Sequence, residues 1–192
     1  YFKKLEINTP VYELVKDESD LDLGKINYPV IIKPAETDAS NGIDEDSVVY
    51  NELELRKKLQ ETIKNFGKVF VEGYIDGREF CVPVIFNKGE VEVFPILEID
   101  FSEHFENKPK ILSFKAKWNK NTNAFKNTYS RIKEIEPEIV SKIREIAIKV
   151  FSNISSSGYA TMDVRLADNE AYVLEVNPNP YLAIECDFIK SA

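Results

Sequence analysis

The feature that most constrains this sequence is a stretch near its C-terminus, residues 161–177, in which apolar and polar side chains alternate. The even positions are largely apolar and comprise Met162, Val164, Leu166, Tyr172, Leu174 and Val176. A period of two is typical of strands with one buried face, and the polar run Asp168-Asn169-Glu170 predicts a turn between two of them. The stretch therefore predicts a β-hairpin whose even-numbered residues face the core.

The other face of this hairpin carries polar side chains. With a three-residue turn, Asp163 lies opposite Glu175 and Thr161 lies opposite Asn177, with Cβ atoms about 5 Å apart. Adjacent carboxylates repel unless a cation joins them, and carboxylate and amide oxygens suit the octahedral geometry of Mg²⁺. Asp163, Glu175 and Asn177 are therefore candidate metal ligands, and a solvent-facing hairpin without a ligand is the alternative.

Composition places the chain among folded, acidic proteins. It has 192 residues, of which 43% are apolar, and a formal net charge of −8. This apolar content suffices for a sizeable core, in one domain or two small ones. The acidic balance argues against nucleic acid as a partner. No apolar run reaches the roughly 18 residues that span a membrane, so we expect a cytoplasmic protein without a membrane partner.

The cysteines and the single histidine show no evident catalytic context. Cys81 and Cys186 are far apart and lack metal-ligand spacing, which is typical of small buried residues in a reducing compartment. His104 lies in a polar stretch, residues 100–131, that we expect to form a long loop. Because the chain begins with Tyr1 rather than Met, we expect it to be part of a longer protein.

Two patterns follow one another along the chain and predict two subdomains. Residues 1–67 contain a strand and then a helix that begins at Asn51, with a capping-box partner at Glu54 and an end at Gly67. Its expected apolar face comprises Leu53, Leu55, Leu59 and Ile63. Residues 68–192 consist mainly of strands. The prediction is an α+β fold with antiparallel sheets, divided into subdomains 1–67 and 68–192.

Lys33 ends an apolar strand and precedes a loop of small residues that runs to Gly42. A lysine at this position can neutralise a phosphate while backbone N–H groups of the loop approach it. An ordinary exposed lysine before a turn is the alternative.

The run VEGYIDGREF, residues 71–80, places Glu72 and Glu79 seven positions apart on a strand that breaks and restarts. A carboxylate can accept hydrogen bonds from an exocyclic amine or from two ribose hydroxyls. The alternative is a polar bend in which Glu79 pairs with a surface lysine.

The run Lys115-Ala116-Lys117-Trp118 concentrates basic charge in an acidic chain. We expect an extended segment with both lysines on one face. Its tryptophan either shields a site or anchors the long loop.

Taken in order, YPVIIKPA, VEGYIDGREF, KAKW and MDVRL…YVLEVNPNP resemble the successive signatures of the ATP-grasp superfamily, and most of all its D-alanine–D-alanine ligase branch. The resemblance spans nearly the whole chain. It implies an ATP-grasp fold in which two α+β subdomains grip a nucleotide. It also implies ATP and two Mg²⁺ ions as cofactors, with Mn²⁺ as a substitute, and a small carboxylate or amino acid as substrate.

The resemblance further implies a role for each motif residue. The nucleotide-binding set is Lys33 and Lys117 at the phosphates, Ser40, Asn41 and Gly42 in the flap, Glu72, Gly73, Tyr74 and Ile75 at the adenine, and Glu79 at the ribose. The magnesium ligands are Asp163, Glu175 and Asn177, and Lys117 is a catalytic residue. We add Arg165 to the catalytic residues as a candidate substitute for the arginine that those ligases use at the reacting phosphate, because it lies on the same strand face as Asp163. The implied enzyme is an ADP-forming carbon–nitrogen ligase, in which a carboxylate attacks the γ-phosphate and an amine displaces phosphate from the acylphosphate.

The sequence departs from the ligase pattern at several positions. Thr161 stands where those ligases have an arginine, and Ala39 and Trp118 stand where they have a serine and a tyrosine. The run Asn177-Pro178-Asn179-Pro180 lacks the glycine of their acceptor-binding turn. We therefore expect a divergent acceptor site, with a non-catalytic Mg·ATP-binding module as the alternative. Since the family's N-terminal domain lies outside this chain, we expect no turnover by this portion alone and any homo-oligomer to form through the missing parts.

Overall fold

The structure is a computed structural model that describes residues 2–101, 105, 107–154 and 157–192. The strands are β1 (Tyr12–Val15), β2 (Val30–Pro34), β3 (Val48–Val49), β4 (Val69–Gly73), β5 (Arg78–Asn87), β6 (Glu90–Val93), β7 (Leu97–Phe101), β8 (Thr128–Arg131), β9 (Tyr159–Ala167) and β10 (Glu170–Asn177). The helices are α1 (Glu52–Phe66), α2 (Phe114–Trp118), α3 (Asn123–Lys126), α4 (Pro137–Ile154) and α5 (Asp187–Ser191). The pairs β1–β4, β2–β4, β2–β3, β5–β6, β5–β7, β5–β9 and β9–β10 are antiparallel, which agrees with the predicted α+β class. Within the described ranges, no helix has the length and apolarity needed to cross a membrane.

The chain divides into two compact units. The lysine unit comprises Pro10–Asp76 and Phe101–Tyr129, and the hairpin unit comprises Tyr1–Thr9, Gly77–Asp100 and Ser130–Ala192. The subdomains expected from the sequence, residues 1–67 and 68–192, are each one continuous range and differ from these units in their bounds. That division stays a prediction.

The lysine unit contains a four-stranded sheet in the order β1-β4-β2-β3, against which α1 packs. Helix α1 begins as predicted, because the Asn51 side chain accepts a hydrogen bond from the Glu54 backbone N–H at 3.0 Å. It ends at Gly67, whose φ of 79° favours glycine. Leu55 and Leu59 are buried as expected, but Leu53 is 81% exposed. The prediction for Leu53 was wrong because two helical positions turn by about 200°, which places it on the opposite face.

The hairpin unit contains a six-stranded sheet in the order β10-β9-β5-β7-β8, with β6 also paired to β5. Its core lies between one face of this sheet and α4, and includes Phe80, Val82, Met162, Val164, Ile143 and Val150. Strands β6 and β7 follow each other closely along the chain but are separate. Pro95 stands in the break, and proline cannot donate to a strand ladder.

Gly77 marks a close backbone contact at the start of β5. A Cβ atom on Gly77 would lie 2.1 Å from the carbonyl oxygen of Leu166 and 2.8 Å from its carbonyl carbon. Both are backbone atoms of β9, which cannot turn aside as a flexible side chain can. The site therefore has room only for glycine.

We expect Gly77→Ala to lower the free energy of unfolding by about 3 kcal/mol, the upper end of the usual overpacking cost. Urea titration followed by circular dichroism measures the effect. The matched control is Gly73→Ala, where the added Cβ meets Val11 O at an ordinary 3.7 Å. Equal unfolding midpoints for the two variants would show that the contact at Gly77 relaxes at little cost.

Candidate functional site

The predicted hairpin is formed by β9 and β10. Its turn contains two residues, Asp168 and Asn169, with φ values of 49° and 62°, as in a type I′ turn. The three-residue turn expected from the sequence was therefore wrong, because Glu170 already pairs with Ala167. A register shift between Val173 and Glu175 then adds one residue to β10. The shorter turn and the extra residue in β10 shift the register of the two strands in opposite directions, so their effects cancel beyond the bulge.

The polar pairs consequently lie where they were predicted. Asp163 is opposite Glu175, and Thr161 is opposite Asn177. The apolar pattern of β10 differs, since Ala171 and Val173 are buried in place of Tyr172 and Leu174, which are half-buried. The physical reason is the bulge: one extra residue moves every side chain on one side of it to the other face.

Asp163, Glu175 and Asn177 form the candidate metal site. Asp163 is half-buried on β9, whereas Glu175 and Asn177 are exposed on β10. The described residues include no cluster of three or more His, Cys, Asp or Glu side chains that could hold a metal ion. Two carboxylates and one amide oxygen nevertheless fit Mg²⁺, which retains positions for water and phosphate oxygens. The Asn177 Oδ1 atom also accepts a hydrogen bond from the Asn179 N–H at 2.9 Å, which orients the amide.

Glu79 and Arg165 form a buried ion pair next to this site. They lie opposite each other on β5 and β9, one pair along from Cys81 and Asp163 on the same face. Arg165 Nε and Nη2 donate to Glu79 Oε2 at 3.0 and 2.5 Å. Glu79 therefore pairs with a buried arginine and not with the surface lysine of the alternative interpretation. The catalytic contact of Arg165 with phosphate stays a prediction.

Lys33 and Glu72 form a second ion pair, in the lysine unit. They project from the adjacent strands β2 and β4, and Lys33 Nζ lies 2.6 Å from Glu72 Oε1. Their side chains are 23% and 13% exposed, so Lys33 is not the ordinary exposed lysine of the alternative interpretation. The two adjacent strands thus place the Lys33 ammonium beside the Glu72 carboxylate. The ammonium can contact a phosphate, and the carboxylate can accept a hydrogen bond from an amine.

The two residues after Glu72 use their backbone N–H groups in hydrogen bonds within the protein. The Gly73 N–H donates to Val11 O at 2.8 Å, and the Tyr74 N–H donates to Pro29 O at 3.0 Å. Backbone contacts from these two residues to an adenine ring would therefore use their carbonyl groups. The nucleotide roles of Gly73, Tyr74 and Ile75 stay predictions.

The flap residues form a loop with unusual backbone angles. Ala39, Ser40 and Gly42 have φ values of 53°, 61° and 82°. Ser40 Oγ donates to the Leu112 carbonyl at 2.6 Å, and Trp118 Nε1 donates to the Ala39 carbonyl at 3.0 Å. Trp118 therefore anchors this loop. The binding roles of Ser40, Asn41 and Gly42 stay predictions.

The segment that carries Lys117 is helical rather than extended, so that prediction was wrong. Ser113 caps α2 by accepting a hydrogen bond from the Ala116 N–H at 3.2 Å. Positions two apart do not share a helix face, and Lys115 instead pairs with Asp44 at 3.3 Å. Lys117 is half-buried. The long loop expected over residues 100–131 also contains α3 and β8, and His104 lies outside the described residues.

Neither cysteine shows the environment of a nucleophile. Cys81 is buried in β5. Burial raises the pKa of the Cys186 thiol above its ordinary value, and the nearby carboxylates of Glu185 and Asp187 raise it further. A thiol with a raised pKa is less often the reactive thiolate.

The main feature that sequence reasoning missed is the Glu79–Arg165 pair. Both residues were selected separately, but their contact spans 86 positions of sequence. The available signal was their odd numbering, which puts each on the non-core face of its strand. Pairing β5 with β9 in the observed register would have brought them together.

The two sheets and the carboxylate hairpin define a protein of the ATP-grasp class, and comparison with known proteins agrees. The family described as D-ala D-ala ligase C-terminus matches residues 2–191. The D-alanine–D-alanine ligase of Petrotoga mobilis is 33% identical over 172 residues, which cover 90% of this chain and 53% of the relative. The D-alanine–D-alanine ligase of Flavobacterium johnsoniae is 31% identical over 180 residues, with 94% and 48% covered.

The same fold occurs in a solved structure. The D-alanine–D-alanine ligase of Bacillus anthracis, crystallised with ATP, superposes with a TM-score of 0.75 at 22% identity, over 99% of this chain and 56% of that chain. The present chain belongs to the family of D-alanine–D-alanine ligase C-terminal domains. It spans about half the length of the curated relatives.

Proposed function

We propose that this chain is the ATP-binding and catalytic portion of an ADP-forming carboxylate–amine ligase. The observation that carries the proposal is the alignment of Asp163 opposite Glu175, with Asn177 on the same strand. Two facing carboxylates with an amide oxygen on the same strand are oxygen ligands of the kind that Mg²⁺ binds, and this arrangement supports a metal site. Membership of the family supports ATP as the nucleotide.

In this proposal the carboxylates of Asp163 and Glu175 and the Asn177 amide hold Mg²⁺, with two ions the expected number and Mn²⁺ a substitute. Bound Mg²⁺ offsets negative charge on the β- and γ-phosphates. The side chains of Lys33 and Lys117 contact the phosphates as well. Catalysis then consists largely of positioning and electrostatic stabilisation, because phosphoryl transfer needs no protein nucleophile.

The nucleoside is bound by the other carboxylates in this proposal. Glu72 accepts from the adenine amine, and Glu79 accepts from the ribose hydroxyls. Both side chains are largely buried, which strengthens hydrogen bonds to a ligand that excludes water. The carboxylate substrate then attacks the γ-phosphate to give an acylphosphate and ADP, and an amine displaces phosphate.

We further propose that the amine acceptor differs from that of the dipeptide ligases. The turn after Asn177 has prolines at positions 178 and 180 and no glycine, and Tyr181 and Leu182 are exposed beside it. Thr161 is buried in the face that carries Asp163. These residues support ATP use with an altered second substrate.

The test is ADP release by the full-length protein with Mg·ATP, measured across panels of amino acids and small carboxylic acids. We expect release that depends on one class of carboxylate and stops with EDTA. A folded full-length protein that releases no ADP with any acid would overturn the ligase proposal. Binding of Mg·ATP without turnover would then support the second candidate, a nucleotide-binding module without catalytic activity. The departures from the ligase pattern at Ala39 and Thr161 motivate this candidate.

A further inference from the structure

We propose that Arg165 is a positioning residue that holds Glu79 in place for the ribose hydroxyls of the nucleotide. The inference rests on the proposed function and assigns Arg165 a different role from the phosphate contact that was expected from its position on the face that carries Asp163. It concerns the selection of ribonucleotides over nucleotides that lack ribose hydroxyls.

The geometry of the pair is asymmetric. Two hydrogen bonds from Arg165 end on Glu79 Oε2, at 3.0 Å from Nε and 2.5 Å from Nη2. Within the described ranges, no residue donates a hydrogen bond to Oε1. Arg165 thus fixes one oxygen of the carboxylate and leaves the other to accept from a ligand, which suits hydroxyl donors.

The surroundings keep Glu79 from adopting other positions. Its side chain is 7% exposed and that of Arg165 is 4% exposed. Ile99 on β7 lies opposite Glu79, and Tyr172 on β10 lies opposite Arg165, so the charged pair is flanked by apolar side chains along one row of the sheet. A carboxylate in such a place requires a partner, and an arginine that satisfies it also restricts its rotamer before ligand arrives.

The same geometry argues against a phosphate role for Arg165. Two of its donor nitrogens are committed to Glu79, and turning them towards a phosphate would leave a buried carboxylate without its partner. Glu79 and Asp163 lie on neighbouring strands of one sheet face, so a fixed Glu79 also sets the distance between ribose and metal site.

The experiment measures dissociation constants of Mg·ATP and Mg·2′,3′-dideoxyATP for the full-length protein by calorimetry. We expect the wild type to prefer ATP by about 10-fold or more, the usual value of a hydrogen bond to a charged group. In Glu79→Gln and Arg165→Gln the preference should fall to within about twofold. Arg165→Lys, which keeps the charge but not the two-donor geometry, should give an intermediate ratio.

The matched control is Arg78→Gln on the same strand as Glu79. Arg78 pairs with Glu98 and Glu136 at 3.0 and 2.8 Å, and its guanidinium lies over the Phe80 ring, on the opposite face of β5 from Glu79. This variant should keep the preference of the wild type for ATP. Melting temperatures of all variants show whether each is folded. The double variant Glu79→Gln/Arg165→Gln removes both charges. It provides a folded reference if Arg165→Gln alone does not fold.

The outcomes separate the two proposals. If Arg165→Gln, or the Arg165→Lys variant, binds both nucleotides more weakly by the same factor and keeps the ratio, the phosphate role is supported and the present inference is overturned. A lower melting temperature with an unchanged ratio marks a merely structural pair and overturns it too. No binding of Mg·ATP by the wild type would overturn the proposed function itself.

Discussion

Replacing Asp163 by Asn is expected to reduce Mg·ATP-dependent ADP release by about 100- to 1,000-fold, the range observed when one electrostatic contact to a developing charge is lost. The same change should also weaken the stabilisation that excess MgCl₂ gives to the protein. Asp163 lies opposite Glu175, and an amide in its place leaves one carboxylate instead of two to hold the cation. A joint loss of activity and of the response to magnesium distinguishes this site from an ordinary structural carboxylate.

The measurements are a coupled ADP assay on the full-length protein and thermal melts with EDTA or excess MgCl₂. The matched control is Asp168→Asn in the same hairpin. Asp168 sits in the turn at a φ of 49°, which asparagine adopts readily, so this variant should retain activity and its response to magnesium. Wild-type activity in Asp163→Asn, or a wild-type increase of its melting temperature with MgCl₂, would contradict a metal site at this position.

Replacing Lys33 by Ala is expected to weaken Mg·ATP binding by about 100-fold, since a hydrogen bond from an ammonium to phosphate contributes about 1.5–3 kcal/mol. The change also leaves Glu72 without its partner at 2.6 Å. We therefore expect a moderate loss of stability, which Lys33→Ala/Glu72→Gln should partly restore without restoring binding. Calorimetry and thermal melts of the full-length protein measure the two effects.

The control for this prediction is Lys68→Ala. Lys68 also forms an ion pair, with Glu36 at 2.5 Å, but both side chains are largely exposed. Surface pairs of this kind contribute little to stability. Nucleotide affinity in Lys68→Ala should equal that of the wild type. Equal losses of affinity in the two variants would mean that general charge, not a specific phosphate contact, explains the effect of Lys33.

The parts of the fold that sequence predicted best are those set by local chemistry. The Asn51 cap and the Gly67 end of α1 depend on residues within a few positions of each other, and both are confirmed. The pairing of Asp163 with Glu175 is also confirmed, although a shorter turn and a bulge replaced the longer turn that was expected. The period of two in the hairpin sequence therefore predicted which polar residues lie opposite each other, but not the length of the turn or the bulge.

The features that sequence did not predict depend on distant contacts or on short segments. Glu79 and Arg165 meet only because β5 pairs with β9, and no local pattern specifies that register. The segment around Lys117 has too few residues for a helical period to be recognised, and the Ser113 cap decides its conformation. Metal and nucleotide roles cannot be derived from spacing alone, since the same polar faces occur on solvent-exposed strands.

The hydrogen bonds of the flap loop have a consequence for motion within the lysine unit. Ser40 is hydrogen-bonded to Leu112, and Ala39 is hydrogen-bonded to Trp118. Leu112 and Trp118 lie on the segment that also carries Lys117. Lifting the loop therefore either breaks two hydrogen bonds, each contributing about 0.5–1.5 kcal/mol, or takes that segment along. Loop opening and the placement of Lys117 are thus one coupled equilibrium, and a ligand that favours the closed loop also selects the position of the lysine.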